Sequence, residues 1–237
     1  YVDYYFAWGK RPAELVNIFA GFYNTIVTGV PKFDLLNRRY RQYFTLNKDK
    51  RIESLQPYIL VSTNFGIVNH FNKKIRNKLS TSDEIDRIEK PKENRFFYHQ
   101  KQLLNSFVEA LKKLSMDYPD INFIIRYHPS ENGMFYKDNF QENKNIFVDN
   151  TKNVYYWIIN SEIVIHNNST TGVEAALMEK PVIAYNPIIN NEYDLILPNK
   201  ISEEIFTYEQ LKKSIEEKLY NSKNNNNVFE NKNFNLL

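Results

Sequence analysis

Cysteine is absent from the 237-residue chain, which excludes a disulfide framework, a thiolate metal site and a cysteine nucleophile. A charge bias is nearly absent too. The 31 Lys and Arg residues against 28 Asp and Glu leave a net +3, too little to argue for nucleic acid, and the aromatic stretches lack interleaved basic clusters. No apolar run reaches the roughly 18 residues of a membrane span, and no charged-then-apolar leader opens the chain. No G-x-G-x-x-G follows the first apolar strand of the main domain, so a nicotinamide cofactor has no fingerprint. The four histidines, His70, His99, His128 and His166, show no ligand spacing, and no metal or other cofactor is expected. These absences predict a soluble, cytoplasmic protein.

What is present is an ordinary globular composition, 42% hydrophobic and 25% charged, in a chain long enough for one large domain or two small ones. The chain opens on Tyr1 rather than Met, inside an aromatic stretch, and is expected to be a fragment. Roughly 30 asparagines, with many Lys, Ile and Tyr, point to an AT-rich genome and weaken any single Asn as functional evidence.

The pattern of apolar residues divides the chain at 1–51, 57–220 and 221–237. In the first part, Pro12 to Tyr23 reads as a helix with Leu15, Ile18 and Phe19 at helical spacing. Thr25 to Thr28 reads as a buried strand closed by Gly29-Val30-Pro31, and Leu35 to Arg51 as a basic interdomain connector. From Pro57 the rhythm changes. Tyr58 to Val61, Ile121 to Tyr127, Ile146 to Asp149, Glu162 to His166 and Pro181 to Tyr185 are short apolar runs without alternation, as in strands covered on both faces. Helical patterns lie at Asn94 to Met116, Val154 to Ile159, Gly172 to Met178 and Glu209 to Tyr220; Phe97, Leu103, Leu104, Phe107, Leu111 and Leu114 make one face of the first. Alternating strands and helices predict an α/β domain with a doubly wound, Rossmann-like parallel sheet. The Asn-rich tail from Asn221 has little to bury and is expected to be mobile.

Ligands of such sheets sit beyond the carboxyl ends of the strands. Three loops should open there: Ser62-Thr63-Asn64-Phe65-Gly66, His128-Pro129-Ser130-Glu131-Asn132, and Asn167-Asn168-Ser169-Thr170-Thr171-Gly172. Hydroxyls and a glycine at a strand-to-helix turn gather N–H and O–H donors at the positive end of a helix, an anion site in which phosphate is the usual occupant. A plain helix cap by Ser169 or Thr170 is the alternative. His128, fixed by Pro129, can donate to a phosphate or move a proton; a histidine bonded to a carbonyl is its alternative. Glu174 can accept from two ribose hydroxyls or merely suit the helix dipole. Three such features on one edge favour a nucleotide.

Arg126-Tyr127-His128-Pro129, followed by Ser169-Thr170-Thr171-Gly172-Val173-Glu174-Ala175 and Lys180-Pro181-Val182-Ile183, resembles the nucleotide-binding half of GT-B glycosyltransferases. The HP and S-T pair is similar to that of enzymes using cytidine-activated donors: sialyltransferases, Kdo transferases and CDP-glycerol glycerophosphotransferases. Tyr5-Phe6-Ala7-Trp8-Gly9 and Thr28-Gly29-Val30-Pro31-Lys32-Phe33-Asp34 resemble the region before the second domain of surface-polysaccharide biosynthesis proteins. The resemblance implies that His128 is catalytic and contacts the donor phosphate, that Ser169, Thr170 and Thr171 bind that phosphate, and that Glu174 holds the ribose. Thr63, Asn64, Phe65 and Gly66 would face the interdomain cleft; Arg126 would add charge there or point away from it. The implied substrates are a nucleotide sugar, CMP-Kdo or a relative, and a glycan acceptor, with no metal. The base would belong to the first GT-B domain, most of which this chain lacks. Asn167 stands where glycerophosphotransferases carry an acid, which weighs against CDP-glycerol.

Two other classes remain open at this point: a UDP-GlcNAc 2-epimerase-like enzyme and a non-catalytic nucleotide-binding domain. Arg38, Arg39, Arg41, Lys48, Lys50 and Arg51 fit peripheral contact with anionic lipid at the inner membrane face, and equally a solvated surface.

Overall fold

A computed structural model describes residues 3–21, 24–46, 49–75, 91–190 and 196–224. Strand β1 (Tyr5–Ala7), helix α1 (Lys10–Ala20) and strand β2 (Thr25–Val27) form a small parallel βαβ unit, Tyr5 opposite Thr25 and Ala7 opposite Val27. Helix α1 begins two residues before the expected Pro12 and stops where Gly21 turns left-handed at φ +61. The expected end, Tyr23, and the side chain of Phe19 lie outside the described residues. The expected burial of the second strand is overturned: Ile26 and Val27 are about half exposed. Among the described residues β2 pairs only with β1, and an edge partner covers neither face of a strand.

The stretch read as a connector is folded. Helix α2 (Pro31–Asp34) starts on a first-turn proline, and α3 (Gln42–Leu46) and α4 (Lys50–Ser54) follow. Leu36, Phe44 and Ile52 are buried in a cluster with Tyr58, Tyr155 and Trp157. Arg41 donates to the carbonyls of Leu36 (2.7 Å) and Leu177 (3.0 Å), and Arg51 pairs with Asp149, so two of the basic residues serve packing. Lys48 lies outside the described residues.

The main domain runs β3 (Tyr58–Ser62), α5 (Pro91–Asp117), β4 (Asn122–Arg126), α6 (Gly133–Asn139), β5 (Ile146–Val148), α7 (Val154–Asn160), β6 (Ile163–His166), α8 (Thr170–Leu177), β7 (Val182–Tyr185), α9 (Ile196–Lys200), β8 (Glu203–Ile205) and α10 (Tyr208–Asn224). Its six strands are all parallel, in the order β5-β4-β3-β6-β7-β8. That is the doubly wound, Rossmann-like arrangement: three strands step one way from β3 and three the other way from β6. The first five strands fall where their apolar runs place them. The sixth, β8, escaped notice because an edge strand opening on exposed Glu203 and Glu204 carries no apolar run.

Successive residues of β3 feed opposite faces, as the pleat requires. Ile59 and Val61 join Leu103, Leu104, Phe107, Leu111 and Leu114 of α5. Tyr58 and Leu60 join Trp157, Ile158 and Ala175 on the other side. Helix α10 continues four residues into the expected tail, and 225–237 lie outside the described residues. Among the described residues no helix is long and apolar enough to cross a membrane.

Candidate functional site

Strands β3 and β6 are neighbours, yet the chain leaves them in opposite directions, toward β4 and toward β7. Their following loops therefore part at the carboxyl edge and leave a crevice at the topological switch point. The two loops are laced across it. Ser62 Oγ and Ser169 Oγ lie 3.3 Å apart, Asn64 N donates to Asn167 Oδ1 (3.0 Å), and Asn64 Nδ2 donates to the Asn168 carbonyl (3.1 Å).

On the other side of β3, the HP loop is organised by a residue the sequence reading passed over. Glu131 is 2% exposed, and its carboxylate accepts from Thr63 Oγ1 (3.0 and 3.1 Å), His128 N (2.9 Å) and the Tyr136 hydroxyl. A buried carboxylate is tolerated when donors surround it. Burial and the adjacent Glu131 in turn push the Tyr136 phenol well above its ordinary value. An added Cβ at Gly66 would come within 2.1 Å of Ser130 Oγ, so glycine lets the first loop close on the second. Nothing in the motif signalled Glu131, because its link to the first loop through Thr63 spans 68 residues and has no local spacing.

His128 stands exposed at the mouth of this hub. Its Nδ1 accepts from Ser130 N (3.2 Å) and lies 2.7 Å from Ser130 Oγ. With Nδ1 accepting, the network assigns the ring proton to Nε2, which becomes the available donor. That fits the expected phosphate contact. Two cleft-loop expectations are corrected. Phe65 is fully buried, edge-on to Phe107 at 5.5 Å, because a phenyl ring gains more from the core than from a wet cleft. Thr63 is turned inward onto Glu131. Asn64 and Gly66 are half-buried. Arg126 takes the alternative open to it, away from the cleft. It donates to the carbonyls of Asp149 (3.2 Å), Thr151 (2.7 Å) and Lys152 (3.1 Å) and lies over Trp157, holding the β5–α7 loop.

The hydroxyl loop enters α8 two residues earlier than its pattern suggested, with Ser169 as N-cap; its Oγ accepts from Thr171 N at 3.3 Å. The cap is therefore made, and Thr170 is exposed at the first helical position. Behind the loop lies His166, fully buried. Ser202 Oγ donates to the Pro198 carbonyl (2.7 Å), so His166 Nε2–H must donate to Ser202 Oγ (2.9 Å), while Nδ1 accepts from Ser169 N (3.3 Å). Burial drives the imidazole down to about 3. A Cβ on Gly172 would stand 2.3 Å from His166 Nε2, which explains glycine in this helix turn.

Glu174, one turn further, is buried, and its Oε1 already has two donors, Lys32 Nζ (2.8 Å) and the Tyr155 hydroxyl (3.2 Å). Beyond it, asparagines line the strand ends. Asn199 Nδ2 donates to Asn168 Oδ1 (2.9 Å), and Asn168 takes a left-handed φ of +45. Asn167 Nδ2, both amide atoms of Asn186 and Asn199 Oδ1 are buried without a hydrogen-bonding partner among the described residues. Compositional abundance made asparagine look uninformative. These are nonetheless among the most buried polar groups of the domain, and their cluster at the ligand edge could be found only once the strands were in register.

No protein-family model matches the sequence, and neither does any curated protein sequence. Solved structures do match. UDP-GlcNAc 2-epimerase from Methanocaldococcus jannaschii, in complex with UDP-GlcNAc and UDP, superposes with a TM-score of 0.53 at 16% identity, over 92% of this chain and 54% of that one. The fold is GT-B-like. A candidate UDP-N-acetylglucosamine 2-epimerase from Listeria monocytogenes matches with a TM-score of 0.51 at 14% identity, over 94% of this chain and 52% of that one. The chain thus spans about half the length of the structures it matches.

Proposed function

We propose that this chain is the nucleotide-binding half of a GT-B type glycosyltransferase that builds a surface polysaccharide from a nucleotide-activated sugar. The observation that carries this reading is the laced crevice at the switch point. There the N-terminus of α8, the hydroxyls of Ser169, Thr170 and Thr171, and the Nε2–H of His128 belong to loops held together by Asn64, Asn167 and Glu131. Neutral donors and a helix terminus suit a phosphate that gains charge as the glycosyl bond breaks, without a resident metal. His128 supplies a proton donor for that phosphate. The cytidine identity of the donor rests on the likeness of the HP and S-T motifs alone. The base that deprotonates the acceptor would come from the other half of such an enzyme.

A second reading is favoured by the two solved structures above: an epimerase-type enzyme acting on UDP-GlcNAc. Calorimetric titration with CMP, CDP and UDP, repeated on the Ser169→Ala/Thr170→Ala variant, separates the two. The cytidine reading expects CMP to bind best, with the double variant losing about 1–3 kcal/mol. Preference for UDP would move the assignment to the epimerase type. Binding of none of the three would remove the nucleotide reading.

A further inference from the structure

Lys32 reaches the site from a different part of the chain. It lies in the short α2, and its ammonium meets Glu174 Oε1 at 2.8 Å across 142 residues of sequence. The partners are unequal: the Lys32 side chain is 58% exposed and that of Glu174 only 7%. The surface pairs Arg11–Glu14 and Lys213–Glu217, by contrast, join two exposed side chains. A buried carboxylate requires compensation, and here an exposed, flexible ammonium supplies it together with the Tyr155 hydroxyl.

We propose that Lys32 is a phosphate-binding residue of the nucleotide site, held on Glu174 until the nucleotide's ribose displaces it. The inference rests on the nucleotide reading above and assigns to Lys32 a role that reading does not contain. Two ribose hydroxyls can donate to the Glu174 carboxylate in place of the ammonium. Glu174 lies five residues beyond the Ser169 cap, about 7–8 Å along the helix axis. That is close to the ribose-to-phosphate span of a nucleotide and within the swing of a four-carbon stem. The released ammonium then pairs with the phosphate at the start of α8. Charge is conserved in the exchange: neutral hydroxyls take the carboxylate, and the cation moves to the new anion. Ribose and phosphate binding become coupled, because the ribose frees the group that the phosphate needs.

The test is calorimetry on the whole chain with uridine, UMP and UDP, and with cytidine, CMP and CDP, comparing wild type with Lys32→Met and Lys32→Arg. The expected result is a loss of about 10- to 100-fold in nucleoside diphosphate affinity for Lys32→Met, the scale of one charge-assisted hydrogen bond. Nucleoside affinity should be unchanged or tighter, since the ribose no longer competes with an ammonium. Lys32→Arg should retain the diphosphate within about 3-fold, because the charge is kept. An equal effect on all six ligands would make Lys32 only a plug on Glu174 and overturn the proposal, as would no effect at all. If the wild type binds none of them, the nucleotide reading fails and this inference with it. Loss of binding in Lys32→Met with a collapsed melting transition is separated by Lys32→Arg, which keeps the pair to Glu174. Retained folding with lost diphosphate discrimination in that variant would also count against the proposal.

Discussion

At the scale of single residues, the side chains behind the site matter as much as those facing it. His166 is buried with its ring neutral, and protonation would set Nδ1–H against the Ser169 N–H that now donates to it. Burial holds the folded ring's pKa down to about 3, against 6.5 for the unfolded ring. Its contribution to stability is therefore complete above 6.5 and declines as the pH falls toward 3, by about 1.4 kcal/mol per unit. Urea unfolding at about pH 7 and about pH 5 should show this slope in wild type and a shallower one in His166→Gln. Glu131 makes the complementary case. Glu131→Gln keeps the shape but puts an amide donor among Thr63, Tyr136 and His128 N, all of which donate. A stability loss of about 2–3 kcal/mol in the denaturation midpoint is expected, with an altered affinity for anions at His128. Gly172→Ala places a methyl group 2.3 Å from the His166 ring and should cost about 1–3 kcal/mol by the same measurement.

At the scale of elements, one cap carries two duties. Ser169 Oγ closes the first turn of α8 and faces Ser62 Oγ, so an alanine there confuses helix stability with ligand contact. Ser169→Gly separates them. Glycine is an adequate N-cap that costs only a few tenths of a kcal/mol, so a fall in nucleotide affinity with an almost unmoved melting curve would mark the hydroxyl as a ligand contact. The elements also show which signals a sequence transmits. The buried strands β3, β4, β6 and β7 were legible because two covered faces demand unbroken apolar runs, and five residues of the expected face of α5 are indeed buried. Helix α6 and strand β8 were not. The first is a polar-flanked helix of about two turns, and the second an edge with two glutamates. The site was legible to the same extent. Its hydroxyl loop and HP loop are local motifs, whereas the Thr63–Glu131 and Lys32–Glu174 contacts join residues far apart in sequence, and the buried amide of Asn186 gains its place at the ligand edge only from the strand order.

At the scale of the whole molecule, the two sheets differ in kind. The small β1–β2 pair leaves Ile26 and Val27 half exposed, while every residue of β3 is buried at the centre of six strands. Amide exchange should reflect this: β3 and β6 amides exchange only through the slowest opening, and β1 and β2 orders of magnitude faster. A mass-spectrometric time course that found comparable protection in the two sheets would contradict it. Among the described residues, the side chains buried against the six-stranded sheet form two separate clusters, with Ile59 and Val61 of β3 in one and Tyr58 and Leu60 in the other. Leu103 and Trp157 belong to different clusters and Leu103 and Phe107 to the same one, so double-mutant cycles pairing Leu103 with Trp157 should be additive, whereas Leu103 paired with Phe107 should not. The partition has an evolutionary reading. Substitutions can accumulate under α5 and α10 without constraining those under α7 and α8. Related chains can therefore drift to the edge of recognisable sequence while the strand ends, and the crevice they hold open, stay where they are.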